Sequence, residues 1–279
     1  MARQNAYNIY GEDGSTPSKL MEVYNGVLDS VEKMALSTQL KNQTLSVDPN
    51  AGSVEVKRFV NTAVKNYGTA RTAGNADSLN AEVITINLDT RKEVIEEFTQ
   101  FDVEQYGVEN LISRRSQNYV NSMVRSLDTA FFTEAVSAGT STSLTGATAL
   151  AKFEELVQAI ETTQNDYVDG VDRADIVVSL KPAVYGELRN YIHTLPNPNQ
   201  GGVAIETLNG VRVFSNHRQS VDAIAMYNGA VAQPVKILGV KTSDIDMSVD
   251  VSSGIFFSYG TKAVMSDLIR YASFSSISA

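Results

Sequence analysis

Apolar and polar positions change period several times along this 279-residue chain. Thr16-Pro17 pairs a capping hydroxyl with a proline, which is favoured at the first helical position. Leu20, Val23, Tyr24, Val27, Val31 and Met34 then recur at helical spacing and predict an amphipathic helix to about Leu40. Val47–Gly52 is a turn cluster. Val54, Val56, Phe59 and Val60 predict a strand, and Val83 to Leu88 alternates as a second strand does. The turn-rich connection between them, with Asn66-Tyr67-Gly68 and Ala73-Gly74-Asn75, is long for a compact domain.

An acidic segment follows, and Asp102 with Gln105 has capping-box spacing. Val108, Leu111, Ile112, Tyr119, Val120, Met123, Val124, Leu127, Ala130 and Phe131 form one stripe of a long helix. Gly107 marks a start or a bend and Gly139 a stop. After a small-residue linker at 137–147, Leu150, Phe153, Leu156, Val157 and Ile160 predict a helix, Ala174–Ser179 a short buried strand, and Pro182 the start of another helix. Asn209-Gly210 between alternating runs predicts a two-residue hairpin. Strand-like runs follow at 222–227, 235–240 and 255–265. The order is mixed α+β.

Composition narrows the chemistry. Hydrophobic content of 43% and charged content of 20% suit a globular core. With no cysteine there is no disulfide framework, thiolate nucleophile or Cys-based metal site. The formal charge of −9 argues against a surface built to neutralise nucleic-acid phosphate. No apolar run approaches the roughly 20 residues that span a bilayer. The first residues lack a signal peptide's apolar core, so synthesis in the cytoplasm is expected.

Charge is also patterned. Residues 53–80 carry Lys57, Arg58, Lys65 and Arg71 against Glu55 and Asp77. Residues 89–110 carry seven acids, among them Glu93, Glu96 and Glu97, against Arg91 and Lys92. Opposite charges on neighbouring segments meet either within one chain or between subunits. Candidate catalytic features are few. Asp244, Asp246 and Asp250 lack the glycine and terminal glutamate of a calcium loop, and alternation places them on the polar face of a strand. The two histidines, His193 and His217, accompany no nucleophile elbow, and no phosphate-binding glycine loop is present. Arg114-Arg115 is expected to pair with glutamates one turn away. No catalytic, cofactor or metal residue is assigned.

Taken in order, these pieces resemble the major capsid proteins of tailed bacteriophages of the Hong Kong 97 type over roughly 50–279. Val54–Leu88 resembles the family's extended β-hairpin loop. Ile86–Asp102 resembles the strand and connection leading into the spine helix, and Phe101–Val136 resembles that helix. Asp172–Asn190 and Leu208–His217 resemble the axial domain. The resemblance implies an N-terminal arm with helix at 1–46, a hairpin loop at 47–88, a peripheral domain with spine helix at 89–147, an axial domain at 148–234, and return strands of the peripheral domain at 235–279.

It further implies no enzymatic activity and no cofactor. Many copies would assemble in the host cytoplasm as hexamers and pentamers of a virion shell around double-stranded DNA, with a separate scaffolding protein and a portal. Lys57, Arg58, Phe59, Lys65, Tyr67 and Arg71 of the hairpin, set against a neighbour's Glu93, Glu96 and Glu97, are the expected inter-subunit contacts. The competing expectations are an encapsulin-like nanocompartment shell, a soluble hydrolase using one histidine, and a surface-layer protein.

Overall fold

The structure is a computed structural model that describes residues 30–31, 34–45, 52–62, 64–67, 78–99, 101, 108–194, 206–245, 248 and 250–274. The expected helix from Thr16 falls mostly outside the described residues. Where it enters them it is interrupted: Ala35 is extended (φ −76°, ψ 123°), and a short helix, α1 (Leu36–Leu40), begins after it.

Strand β1 (Ser53–Phe59) pairs antiparallel with β2 (Ala81–Asn87), Ser53 opposite Asn87 and Phe59 opposite Ala81. The acidic segment contains a third strand, β3 (Thr90–Phe98), which the sequence pattern had not singled out. Burial alternates from Glu93 to Phe98 although the residue types do not, and tertiary pairing overrides a poor strand propensity. Helix α2 (Val108–Ala138) runs 31 residues, about 46 Å at 1.5 Å per residue, and Gly107 lies outside the described residues. The capping-box pair Asp102 and Gln105 lies outside the described residues.

The linker contributes β4 (Thr140–Ser141). Helix α3 (Ala149–Glu161) is capped by Thr148, whose hydroxyl accepts from the Ala151 amide. Strand β5 (Ile176–Leu180) is buried along its whole length, and Pro182 opens α4 (Pro182–Thr194). The predicted hairpin joins β6 (Thr207–Leu208) to β7 (Val211–Ser215), with Asn209 at φ 49° and Gly210 at φ 87° as a primed turn requires. The remaining strands are β8 (Ala223–Tyr227), β9 (Val231–Ala232), β10 (Val235–Asp244), β11 (Val251–Tyr259), β12 (Lys262–Ala263) and β13 (Ile269–Ala272).

Two larger sheets result, one ordered β10-β11-β3 and one ordered β4-β13-β8-β5-β7-β6. Alternation along β5 explains the second. Ile176, Val178 and Leu180 face Phe153, Leu156 and Ile160 of α3 and Leu188 of α4. Val177 faces the other way, toward Phe131 and Phe132 of α2. A strand covered on both sides reads as a continuous apolar run.

Helix α2 unites the two sheets. Its Tyr119, Val120, Met123, Val124 and Leu127 pack on Ile255, Phe257 and Tyr259 of β11, and its last turns pack on the six-stranded sheet. Each fully buried large apolar side chain contributes about 1.5–3 kcal/mol. This explains why one uninterrupted helix holds both layers.

Asp244 is the last residue of β10 and pairs with Val251, the first of β11, so Ile245, Ser248 and Asp250 lie in the connection between the two strands and not on a strand face. Ser248 donates its amide to the Ile245 carbonyl, and its hydroxyl donates to Asp250. The alternation from Ile245 to Val251 therefore crosses a reversal of the chain and does not define one strand face.

Candidate assembly surface

The hairpin of β1 and β2 has two unlike faces, because side chains alternate along a strand. Val54 and Val56 of β1, with Ile84 and Ile86 of β2, sit against Ala232, Val264 and Met265 of the body. At the end of this face Arg58 makes two parallel hydrogen bonds to Asp267, 2.6 and 2.8 Å. Its guanidinium also lies 4.3 Å over the Tyr167 ring. Asn165 donates to the same carboxylate at 2.5 Å. Burial opposes charge on Asp267, but the hydrogen bonds from Arg58 and Asn165 and the charge of Arg58 outweigh it, holding the carboxyl below its ordinary value.

The opposite face carries Lys57, Phe59 and Val83, with Phe59 52% and Val83 54% exposed. Beyond it Val64, Tyr67 and Leu79 are almost wholly exposed. The expected basic face of Lys57, Arg58, Lys65 and Arg71 is therefore not one face. Lys57 and Arg58 are adjacent in a strand and point apart, and Arg58 is engaged within its own chain. Arg71 lies outside the described residues.

The three glutamates divide by the same rule. Glu93 and Glu97 share the outer face of β3 with Ile95, which is 53% exposed and stands over Gly254. Glu96 points to α2, where its carboxylate accepts from Arg115 Nε at 2.7 Å, Arg115 Nη2 at 2.8 Å and Asn118 at 2.8 Å. Arg115 thus pairs across to β3 rather than with a glutamate of its own helix. Beside this cluster burial pushes the Tyr119 hydroxyl well above its ordinary pKa, with the Glu96 charge adding to the effect.

A shallow polar groove of about 460 Å³ lies where β2 meets α2, lined by Asn87, Asp89, Thr133, Glu134, Tyr259 and Lys262 among others. Neither histidine lines it. His217 is exposed after β7, and the His193 side chain lies outside the described residues. Among the described residues no three acidic or histidine side chains gather as a metal site, and no helix is long and apolar enough to cross a membrane.

The chain shares its architecture with solved shell structures. It superposes on a structure from Mycobacterium phage Che8 at a TM-score of 0.65 and 19% identity, covering 86% of this chain and 91% of that one. For the capsid of cyanophage P-SCSP1u the values are 0.63 and 14%, over 86% and 88%. A virus-like particle from Pyrococcus furiosus matches at 0.59 and 12%, over 91% and 98%. The fold is that of a tailed-phage major capsid protein. No protein-family sequence pattern matches the chain, and no curated protein matches it. Sequence reasoning did not find Asp267, Asn165 or Tyr167, because Asp267 lies 209 positions from Arg58 and no local pattern links them.

Proposed function

We propose that this chain is the repeating subunit of an icosahedral virion shell that encloses double-stranded DNA. The observation that carries the reading is the near-complete mutual coverage with capsid structures, 86% of this chain and 91% of the Che8 chain. The copies form hexamers and pentamers in the host cytoplasm, aided by separate scaffolding and portal proteins. Residues 1–46 serve as the N-terminal arm, 47–88 as the hairpin loop, 89–147 and 235–279 as the peripheral domain with α2 as its spine, and 148–234 as the axial domain.

The work of such a subunit is geometric and not catalytic. Weak contacts add up because closed symmetry forms many of them together. The outer hairpin face, with Lys57 and Phe59, and the tip, with Lys65, Tyr67 and Arg71, meet a neighbour. Glu93 and Glu97 beside Ile95 supply acidic complement. Arg58 and Glu96 act from behind, each holding its own element in place. Exposed ion pairs contribute only about 0–1 kcal/mol each, so charge sets register while apolar burial at Phe59 and Tyr67 supplies the larger part. A charge of −9 suits a wall that does not grip its DNA.

Electron microscopy of particles from infected or expressing cells, combined with nuclease protection, tests the reading. DNA-filled heads support it. Small shells loaded with protein support the nanocompartment alternative, and material that stays monomeric with all assembly partners present overturns both.

A further inference from the structure

The hairpin leaves the body at a single well-built joint. Arg58 is the last inward-facing residue of β1, and two segments of the chain meet on it. Asp267 comes from the turn before β13, and Asn165 and Tyr167 come from the loop before β5. The next residues add a backbone bond, the Asn61 amide donating to the Asp166 carbonyl at 2.8 Å. Both receiving segments lead into the six-stranded sheet, whereas the root of the hairpin continues into β3 of the three-stranded sheet. The hairpin is therefore fastened at one end to one sheet and at its middle to the other. Past the joint, exposure jumps: the Arg58 side chain is 12% exposed, and Val64 is fully exposed.

We propose that the Arg58–Asp267 joint, braced by Asn165 and Tyr167, is a strut that fixes the direction of the described residues just past it, up to Tyr67, and couples it to the relative position of the two sheets. A planar bidentate pair resists rotation as well as separation, which a single point charge does not. Stacking on Tyr167 fixes the plane of the guanidinium. A shift of the six-stranded sheet against the three-stranded one that carries Asp267 and the loop at 165–167 away from Arg58 takes the fork out of register and frees the residues around Val64. A shift that keeps them together carries those residues along. The inference concerns the single subunit and does not depend on assembly into a shell, so the two readings fail separately.

The test uses the full chain in its unassembled form. Because the protein has no cysteine, Val64→Cys with Gln158→Cys gives one clean pair of spin-label sites, one on the tip and one on an exposed position of α3. A narrow distance distribution is expected with Arg58 present and a broad one with Arg58→Ala. Amide exchange at Asn61 should rise roughly tenfold or more while α2 stays protected. Arg58→Lys keeps the charge without the fork and should fall between the two, which keeps the test sound if Arg58→Ala folds poorly. The exchange of charges, Arg58→Asp with Asp267→Arg, should narrow the distribution again. A distribution already broad with Arg58 present, or one unchanged in both Arg58→Ala and Arg58→Lys, overturns the proposal.

Discussion

Arg218 Nη1 lies 2.5 Å from Asp128 Oδ2, and Asp128 is wholly buried inside the long helix. The other carboxylate oxygen accepts from the Ser37 amide at 2.9 Å, beside the start of α1. One side chain thus ties the N-terminal segment, α2 and the loop after β7 together. A buried charge is tolerated only when paired, so removing one partner is costly. Asp128→Ala should lower unfolding stability by about 3 kcal/mol. The double variant Asp128→Ala with Arg218→Met should lose less than the sum of the two single changes. Chemical denaturation of the four proteins measures the coupling.

Acid should weaken the fold through carboxylates that are ion-paired in the native state. Burial opposes charge on Asp222, but hydrogen bonds from Lys181, Ser273 and the Phe274 amide, with the charge of Lys181, hold its pKa below the ordinary 3.8, as happens at Asp267. A folded pKa below the unfolded one means the stabilisation is fully present above about pH 4 and is lost as pH falls through the lower folded value. Urea melts from about pH 7 down to pH 3 should show stability falling mainly at the acid end. Asp222→Asn should flatten that fall, and an unaltered profile would exclude Asp222 as a contributor.

Two glycines offer a contrast between close approach and open space. A Cβ on Gly260 would meet the Asn87 carbonyl oxygen at 2.1 Å, at the root of the hairpin. Backbone cannot yield there cheaply, so Gly260→Ala should destabilise by about 2 kcal/mol or more. A Cβ on Gly186, inside α4, meets nothing within 4 Å. Gly186→Ala should stabilise by up to about 1 kcal/mol through helix propensity. Thermal melts of both variants decide the pair.

The unlike faces of the hairpin predict unlike phenotypes. Lys57→Glu with Phe59→Ser alters only the outer face and should cut particle yield several-fold while the subunit's melting transition stays unchanged. Val56→Ser alters the seated face, among Ile84, Ile86 and Val264, and should lower subunit stability by about 1–3 kcal/mol. Equal particle yield from the first variant would remove the outer face from the assembly surface.

Much of the architecture was legible because it rests on local periodicity. The stripe from Tyr119 to Phe131, the buried Ile176–Leu180 run, the Pro182 helix start and the Asn209-Gly210 turn each follow from spacing and turn chemistry, and each appears where expected. What stayed hidden rests on partners distant in sequence. Thr90–Phe98 is a strand because β11 lies beside it, while its own residues read as an acidic segment. Ala35 breaks a helix that pattern alone would continue, next to a carboxylate donated from position 128. The division of Lys57 from Arg58, and of Glu96 from Glu93 and Glu97, follows from strand alternation. It became decisive only once both strands were placed against the body.

The two-residue strands at the rims of the six-stranded sheet bear on crowding. Among the described residues β4 and β6 terminate that sheet with only Thr140–Ser141 and Thr207–Leu208. Rims so short present few free amides and carbonyls for another polypeptide to zip onto. At those two rims a second copy of the chain lying alongside would find almost no backbone ladder to extend, so contact there would rest on side chains instead of on a continued sheet.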